Sequence, residues 1–237
     1  MQSKPPVPSS KRVRQMFTSI AERYDTANRV LSGGADIAWR RRLVREVCAC
    51  RPQSVADLAT GSGDVALALG RSLGSEATII GLDFCDAMLD NARRKQPRNP
   101  IGAKVIFRLG DCCKLPFESR TLDVVSIAFG LRNLEDRDQG LYEMRRVLRP
   151  GGVLLILEFS QPFRWMRPFY AFYLKVLLPH LGALVTGNRD AYAYLSGSIE
   201  SFPDRGVLAA QIRAAGFSTV EAFPLSLGIV ALHRAVA

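Results

Sequence analysis

The sequence predicts an α/β fold built on a doubly wound, mostly parallel sheet of about seven strands. Short apolar runs alternate with helical patterns from residue 54 to residue 159, which is typical of consecutive βαβ units. Right-handed crossovers place such units side by side in an open sheet. The expected elements are Ser54–Ala59, a helix from about Asp64, Thr78–Leu82, Asp86–Lys95, Lys104–Leu109, Leu122–Phe129, Asp138–Leu148 and Val153–Phe159.

The rest of the chain predicts a short arm and additional helices. Residues 1–10 are proline-rich and are expected to form a mobile arm, which leaves residues 11–237 as a single domain. Residues 11–50 form an N-terminal helical region, in which Trp39, Leu43 and Val47 recur at i, i+4 and i+8. Most apolar helix stripes face a core, so we expect these three side chains to be buried.

Composition excludes several classes of protein. The five cysteines show no C-x-x-C spacing and the two histidines stand alone, so we expect no metal site and reduced thiols in a cytoplasm. No run of 18 apolar residues occurs, so no segment is expected to span a membrane. The net charge is +10, and residues 1–51 hold 11 basic against 4 acidic residues. Such a segment favours an anionic partner or a solvated basic face.

A glycine turn and two acids predict a nucleoside site at the strand ends. Gly61 and Gly63 follow the first strand and let the backbone turn tightly, so that a ligand lies against the main chain. Asp83 ends the second strand 22 positions after Gly61, which fits a carboxylate that accepts ribose hydroxyls. Asp111 follows the third strand, where an acid accepts from an adenine amino group or simply serves in a turn.

The charge around the glycine turn indicates which nucleoside binds. Asp57 and Asp64 flank the turn and would repel the pyrophosphate of a dinucleotide, which favours a bare helix N-terminus. S-adenosylmethionine (SAM) carries a cationic ammonium and a cationic sulfonium, which carboxylates attract. The sequence therefore favours SAM over NAD as the cofactor.

The C-terminal segment predicts a helix and a hairpin. Val207–Ala215 is expected to form a helix ended by Gly216, and Phe217–Phe223 and Leu227–Leu232 are expected to be two closely spaced strands. A terminal hairpin on a parallel sheet is compatible with the Rossmann-like fold of SAM methyltransferases, which carries an antiparallel seventh strand.

Two longer motifs carry a resemblance to a known family. They are the segment from Phe17 to Asp25, followed by Asn28, and the segment from Ala128 to Asn133. With these pieces the chain resembles the quinone-biosynthesis C-methyltransferases, which methylate demethylmenaquinol and in some bacteria also a ubiquinol precursor. The resemblance extends over residues 12–234.

The resemblance implies cofactor contacts at Ser62, Asp83, Asp111, Cys112 and Ala128. Four of these residues depart from a common family pattern. Ser62 stands where threonine is frequent, which keeps a hydroxyl. Asp111 and Cys112 replace an Asn-Ala pair and still leave an acceptor for adenine. Ala128 replaces a frequent serine, so only its backbone is expected to take part.

The implied reaction is methyl transfer from SAM to a ring carbon of a prenylated quinol. A deprotonated hydroxyl makes that carbon electron-rich, so it attacks the methyl in line. Arg132 is expected to stabilise the phenolate or to hold a water that takes the proton. Asn133 is expected to bind a quinol oxygen. Tyr24 and Asp25 are expected either to belong to a lid over the cofactor, formed by residues 11–50, or to serve in helix packing and capping.

Seven of the 20 aromatic residues fall between positions 159 and 173. They are expected to line a pocket for the quinol ring and the start of its tail, within a helical substrate cap over residues 160–200, or else to pack the cap on the sheet. They are Phe159, Phe163, Trp165, Phe169, Tyr170, Phe172 and Tyr173.

Several functions remain compatible with these motifs. Demethylmenaquinol is the expected substrate, and a benzoquinol precursor of ubiquinol, small-molecule O-methylation and a non-catalytic SAM-binding module are the alternatives. The charge of +10 favours an RNA methyltransferase, but no RNA-binding appendage is visible, so no nucleic acid partner is expected. The sequence gives no indication of the oligomeric state.

The expected substrate determines where such an enzyme would work. A prenylated quinol lies in the bilayer, so a cytoplasmic enzyme must make transient contact with the inner face of the membrane. The basic residues of segment 1–51 are expected to make that contact electrostatically.

Overall fold

A mixed sheet forms the centre of the protein, and the computed structural model describes residues 10–97 and 102–237. The strands in this described part are β1 (Ser54–Leu58), β2 (Thr78–Asp83), β3 (Lys104–Leu109), β4 (Leu122–Ala128), β5 (Leu148–Phe159), β6 (Thr219–Leu225) and β7 (Val230–Val236). Their order across the sheet is β3-β2-β1-β4-β5-β7-β6. Strands β1 to β5 are parallel, and β7 is antiparallel to both of its neighbours. The doubly wound α/β prediction, including the antiparallel seventh strand, is confirmed.

Helices cover both faces of this sheet. The α-helices in the described ranges are α1 (Ser10–Ile20), α2 (Tyr24–Leu31), α3 (Ala35–Ala49), α4 (Asp64–Ser72), α5 (Asp86–Lys95), α6 (Arg137–Val147), α7 (Arg167–Phe172), α8 (Leu178–Thr186), α9 (Arg189–Glu200) and α10 (Arg205–Ala214). Successive strand residues point to opposite faces, so Leu155 joins one core with α3 and α4, whereas Leu154 and Ile156 join the other with α6 and α10. The alternation of apolar residues in the strands thus builds two cores.

A third core joins the N-terminal helices to the segment that follows β5. Ile20 of α1 and Ala27 of α2 pack with Tyr170, Leu174 and Tyr192. This cluster lies apart from the two cores on the sheet faces and holds residues from α1, α2 and α7 to α9 together. The N-terminal helices are therefore attached to the helical segment between β5 and β6, as well as to α3.

The apolar stripe of α3 faces the interior. Leu43 and Val47 are fully buried, and Trp39 is buried while its Nε1 donates a hydrogen bond of 2.8 Å to the Ser226 hydroxyl. The expectation that these three side chains pack in a core is confirmed. The arm expected over residues 1–10 lies outside the described residues, except for Ser10, which begins α1.

The C-terminal hairpin lies further along the chain than the sequence predicts. Leu227, the expected first residue of the last strand, has φ of 58° and belongs to a turn with Ser226 and Gly228. A left-handed backbone cannot continue an extended strand, so β7 begins only at Val230. In the described part of the chain, no helix has both the length and the apolar composition needed to cross a bilayer.

Candidate active site

Two cavities lie at the carboxyl ends of the parallel strands and share part of their walls. One, the acidic cavity, has a volume of about 410 Å³ and is lined by Gly61, Asp83, Asp111, Cys112, Ala128 and Asn133 among others. The second, the aromatic cavity, has a volume of about 430 Å³ and is lined by Arg132, Phe159, Phe169, Tyr170, Tyr173 and Leu178 among others. Tyr24 and Phe129 line both cavities. The sequence-predicted site residues are thus divided between two adjoining spaces.

Asp83 is held rigidly at the end of β2. The backbone N–H groups of Gly61 and Cys85 donate to its two carboxylate oxygens at 2.7 and 2.9 Å. Burial raises the pKa of Asp83, and these backbone hydrogen bonds oppose that shift. Each carboxylate oxygen keeps a further lone pair. The group can therefore accept two hydroxyls of a ligand while it fixes the glycine turn.

A second carboxyl, that of Asp57, lies beneath the same turn. It accepts hydrogen bonds from the hydroxyls of Thr60 at 2.6 Å and Ser126 at 2.8 Å. Complete burial raises the pKa of Asp57 to about 6, although these hydroxyl donors lower it in part. The turn thus rests on a carboxyl that changes its charge at mildly acidic pH.

The loop after β3 and the end of β4 supply the opposite side of the acidic cavity. Asp111 is exposed, and its Oδ1 accepts from the Cys113 N–H at 2.8 Å. Cys112 is buried, and burial raises the pKa of its thiol, so the group stays protonated. Ala128 ends β4 in the same wall. Asp111, Cys112 and Ala128, at which the resemblance implies cofactor contacts, therefore line one cavity with Asp83.

Ser62 and Gly63 serve the turn in another way. The Ser62 hydroxyl is buried and donates to Asp25 of α2 at 2.5 Å. Gly63 has φ of 80°, and a Cβ there would lie 2.9 Å from both the Ala92 side chain and the Phe107 ring. The cofactor contacts predicted for these two residues stay predictions, since neither is among the residues of the acidic cavity wall.

An ionic cluster attaches α2 to the glycine turn. Lys95 Nζ donates to Asp25 at 2.8 Å, to Asp64 at 2.6 Å and to the Ser62 hydroxyl at 3.1 Å. Burial raises the pKa of Asp64, but the hydrogen bond and charge of Lys95 outweigh it and hold the pKa below its usual value. Asp25 therefore contacts Ser62 and Lys95 instead of capping α2, whose N-cap residue is Arg23.

Arg132 lies at the aromatic cavity in a buried ion pair. Its Nη1 donates to Glu158 Oε1 at 2.8 Å and to the Phe129 carbonyl at 2.6 Å, and its side chain is 6% exposed. Glu158 is fully buried and also accepts from the backbone N–H of Phe159 at 2.8 Å. Within the described ranges, Arg132 Nε is buried and has no hydrogen-bond partner. The guanidinium of Arg132 therefore contributes positive charge to the wall of the aromatic cavity.

The two neighbouring candidates are placed close by. Asn133 lines the acidic cavity, and its Oδ1 accepts from the Tyr194 hydroxyl at 3.1 Å. Tyr24 lies in the shared wall, with its ring edge-on to Phe17 at 5.9 Å between centroids. The structure thus brings Tyr24, Arg132 and Asn133 to the boundary between the cavities, whereas Asp25 lies in the ionic cluster.

The predicted aromatic pocket includes only some of its expected members. Phe159, Phe169, Tyr170 and Tyr173 line the aromatic cavity. The other three, Phe163, Trp165 and Phe172, are among the exposed large hydrophobic side chains and are absent from its wall.

Sequence reasoning missed Glu158 and Lys95. Glu158 lies near the end of the apolar run Val153–Phe159. Because a buried carboxylate requires a cationic partner, this position could have predicted a buried ion pair. Lys95 ends α5 and looks like an ordinary cation in the last helical turn. Only the fold brings it to Asp25, which is 70 positions away.

Solved structures identify the fold. A SAM-dependent methyltransferase from Thermotoga maritima aligns with a TM-score of 0.65 at 15% identity, covering 94% of this chain and 98% of its own. A SAM-dependent methyltransferase from Aquifex aeolicus aligns with a TM-score of 0.56 at 18% identity, covering 78% and 81%. The chain therefore has the fold of SAM-dependent methyltransferases.

The sequence relatives define the family within that class. The model of the ubiE/COQ5 methyltransferase family matches residues 7–237, and the chain belongs to this family. A demethylmenaquinone methyltransferase from Thermus thermophilus is 46% identical over 92% of this chain and 98% of its own. A ubiquinone/menaquinone biosynthesis C-methyltransferase from Geobacter sulfurreducens is 40% identical over 94% and 87%. The predicted resemblance is confirmed, and membership implies the use of SAM.

Asp83→Ala is expected to weaken SAM binding by about 1.5–3 kcal/mol, because charge-assisted hydrogen bonds to the ligand are lost. Calorimetric titration of the purified protein measures the change. Asp90→Ala removes a carboxylate that is 63% exposed on α5 and serves as the control. Unchanged affinity in a folded Asp83→Ala protein would remove Asp83 from the SAM site.

The pKa of Asp57 predicts a pH-dependent stability. Because burial raises this pKa to about 6, the folded state binds the proton more tightly than the unfolded state. The free energy of unfolding contributed by Asp57 should therefore fall by about 2 kcal/mol as the pH rises from 4.5 to 6.5. Urea denaturation measures the free energy of unfolding of wild type and of Asp57→Asn at each pH. The contributions of the other titratable groups cancel in the difference between the two proteins. Parallel pH curves for the two proteins would contradict the assignment.

Proposed function

We propose that this protein transfers a methyl group from SAM to a ring carbon of a prenylated quinol, with demethylmenaquinol as the substrate. The acidic cavity suits SAM, since its wall includes the carboxylates of Asp83 and Asp111 and SAM carries two cationic groups. When bound, SAM supplies a methyl group on its sulfonium: the carbon–sulfur bond breaks as the carbon–carbon bond forms, the sulfur leaves as a neutral thioether, and the ring carbon then loses its proton to water, which restores the aromatic ring. The names of the relatives from Thermus thermophilus and Geobacter sulfurreducens support the quinol as acceptor.

The observation that carries this proposal is the position of Arg132. Its side chain lines the aromatic cavity and is 6% exposed, so its positive charge lies in the wall of that cavity. The positive charge of the guanidinium would stabilise, at a quinol oxygen in that cavity, the phenolate that makes the ring carbon nucleophilic. The proton leaves the hydroxyl directly to water or through a water held by the same guanidinium.

Glu158 acts in this proposal as a positioning residue. It accepts a hydrogen bond from Arg132 Nη1 at 2.8 Å and so holds the guanidinium in the cavity wall. Its negative charge also makes a buried arginine tolerable in the absence of substrate. Asn133, fixed by Tyr194, supplies a side-chain amide in the neighbouring wall for a quinol oxygen.

The shared wall determines where the two reactants meet. Tyr24 and Phe129 line both cavities, so the SAM methyl and the quinol ring would approach each other between them. In this arrangement α1 and α2 form a lid, and the contacts of Asp25 with Ser62 and Lys95 hold that lid on the glycine turn. Water is thereby kept away from the reacting atoms.

The aromatic cavity suits a fused quinol ring and the first part of an isoprenoid tail. Its volume of about 430 Å³ lies in the range of small-molecule sites, and aromatic rings contribute much of its wall. Because a longer tail remains in the bilayer, we also propose that the enzyme meets its substrate in transient contact with a membrane surface.

Removing Arg132 is expected to lower turnover of reduced demethylmenaquinone by about 10²–10³-fold, because phenolate stabilisation is lost while SAM binding survives. Arg132→Ala leaves Glu158 buried without its cation, which destabilises proteins by about 3–5 kcal/mol. The double variant Arg132→Met with Glu158→Gln removes both charges, so no buried charge is left unpaired and a loss of turnover does not simply reflect unfolding. Anaerobic turnover and SAM calorimetry are measured on both proteins.

Arg149→Ala serves as the matched control. Arg149 pairs with Asp123, is 60% exposed and lies at the opposite end of β5 from Glu158. Near-normal turnover in both the single and the double variant would contradict the proposed role of Arg132. Methylation of the oxidised quinone alone would contradict the proposed mechanism. Preference for a benzoquinol precursor would keep the mechanism and change the substrate.

A further inference from the structure

The helical segment that follows β5 exposes an apolar face. Trp165, Phe169, Phe172 and Val176 recur at i, i+4, i+7 and i+11, and these four residues are named the docking stripe. Trp165 is 62% exposed and Phe169 is 67% exposed. Large aromatic side chains at helical spacing on a surface mark a contact site far more often than single exposed residues do.

The opposite face of this segment is already used. Tyr170, Leu174 and Leu178 recur at i, i+4 and i+8 and are buried in the third core. A surface helix ordinarily pairs such an apolar face with a polar outer face. Here the outer face is apolar as well, so packing within the described protein does not account for the docking stripe.

The charges around the docking stripe indicate what covers it. Residues 160–188 contain no aspartate or glutamate, whereas Arg164, Arg167 and Lys175 are exposed in the same segment. Lys175 meets Glu200 of α9 only at 3.8 Å, with both side chains well exposed. Aromatic side chains flanked by cations, without carboxylates, fit the interface of an anionic bilayer.

The docking stripe is continuous with the aromatic cavity. Phe169 belongs to the stripe and also lines the cavity, together with Met166 and Tyr173 of the same segment. A tail that leaves the cavity past Phe169 would pass directly into whatever covers the stripe. A water-exposed path for an isoprenoid chain would instead have a high free energy.

We propose that the docking stripe inserts into the surface of an anionic bilayer, so that the aromatic cavity opens into lipid. The identity of the tail rests on the proposed function, whereas the docking itself rests on the stripe and its cations. This places the apolar contact between β5 and β6, away from the N-terminal basic segment, whose stripe of Trp39, Leu43 and Val47 is buried in the core.

Vesicle binding of the full chain tests this proposal. Cosedimentation is measured with vesicles of phosphatidylcholine alone and of phosphatidylcholine with phosphatidylglycerol, at low and high salt. Binding to the anionic vesicles at low salt should be at least about tenfold stronger than to neutral ones. Brominated lipids should quench the fluorescence of Trp165, while the buried Trp39 is unaffected.

Trp165→Ser with Phe172→Ser changes two stripe residues that do not line the aromatic cavity. This variant should bind anionic vesicles at least about tenfold more weakly, because two interfacial aromatic anchors are lost. Tyr142→Ser with Val207→Ser removes two side chains of similar exposure, 58% and 51%, on α6 and α10, and should bind like wild type.

Three results would overturn the proposal. They are failure of wild type to bind anionic vesicles, wild-type binding by the stripe variant, and a change in oligomeric state of the stripe variant without vesicles. The last would assign the stripe to a second copy of the chain.

Methylation of a tail-free quinol in vesicle-free solution separates this proposal from the proposed function. It should survive in the stripe variant. Its absence in a wild type that binds vesicles would contradict the proposed function and leave the docking proposal intact.

Discussion

The buried pair of Arg132 and Glu158 constrains the site more than any other contact described above. Removing two charges from water costs several kcal/mol for each ion, and it is compensated here by the pair itself and by backbone donors to Glu158. Arg132 also holds the carbonyl of Phe129, whose φ of 57° is rare for a residue with a side chain. Phe129 lines both cavities, so the ion pair fixes a residue at the place where the two cavities adjoin. A well-packed apolar pair would serve stability as well, which makes function the better reason for its presence.

A second constraint closes the site from the side of the N-terminus. The carboxylate of Asp25, the hydroxyl of Ser62 and the ammonium of Lys95 bring α2, the glycine turn and α5 together. The side chains of Lys95 and Asp25 are 33% and 36% exposed, so their ion pair is weaker than a buried pair and is reduced by salt. In the proposed function, so weak an attachment would let α1 and α2 open for exchange of SAM and close again. Tyr24, one residue from Asp25, is carried into the shared wall by the same helix.

Local pattern predicted most of the fold and the acidic side of the site. Apolar alternation located the strands, and the spacing of Asp83 from Gly61 placed both in one cavity wall. Contacts between residues that are distant in the sequence depend on the tertiary fold, so local pattern does not predict them. Examples are the contact of Ser62 with Asp25 and that of Glu158 with Arg132. The division of the aromatic residues between cavity and surface depends on how the segment after β5 packs on α1 and α2, which the count of aromatic residues does not reveal.

The position of the transferred methyl group distinguishes methylation of a quinol ring carbon from methylation of an oxygen. Purified wild-type protein is incubated anaerobically with SAM labelled with carbon-13 in its methyl group and with reduced, short-tailed demethylmenaquinone. The product is then analysed by NMR. The account predicts that the label is bonded to the ring carbon next to a hydroxyl-bearing carbon, and that oxidised quinone gives no product. A label on the quinol oxygen, or no transfer to the reduced substrate, would contradict it.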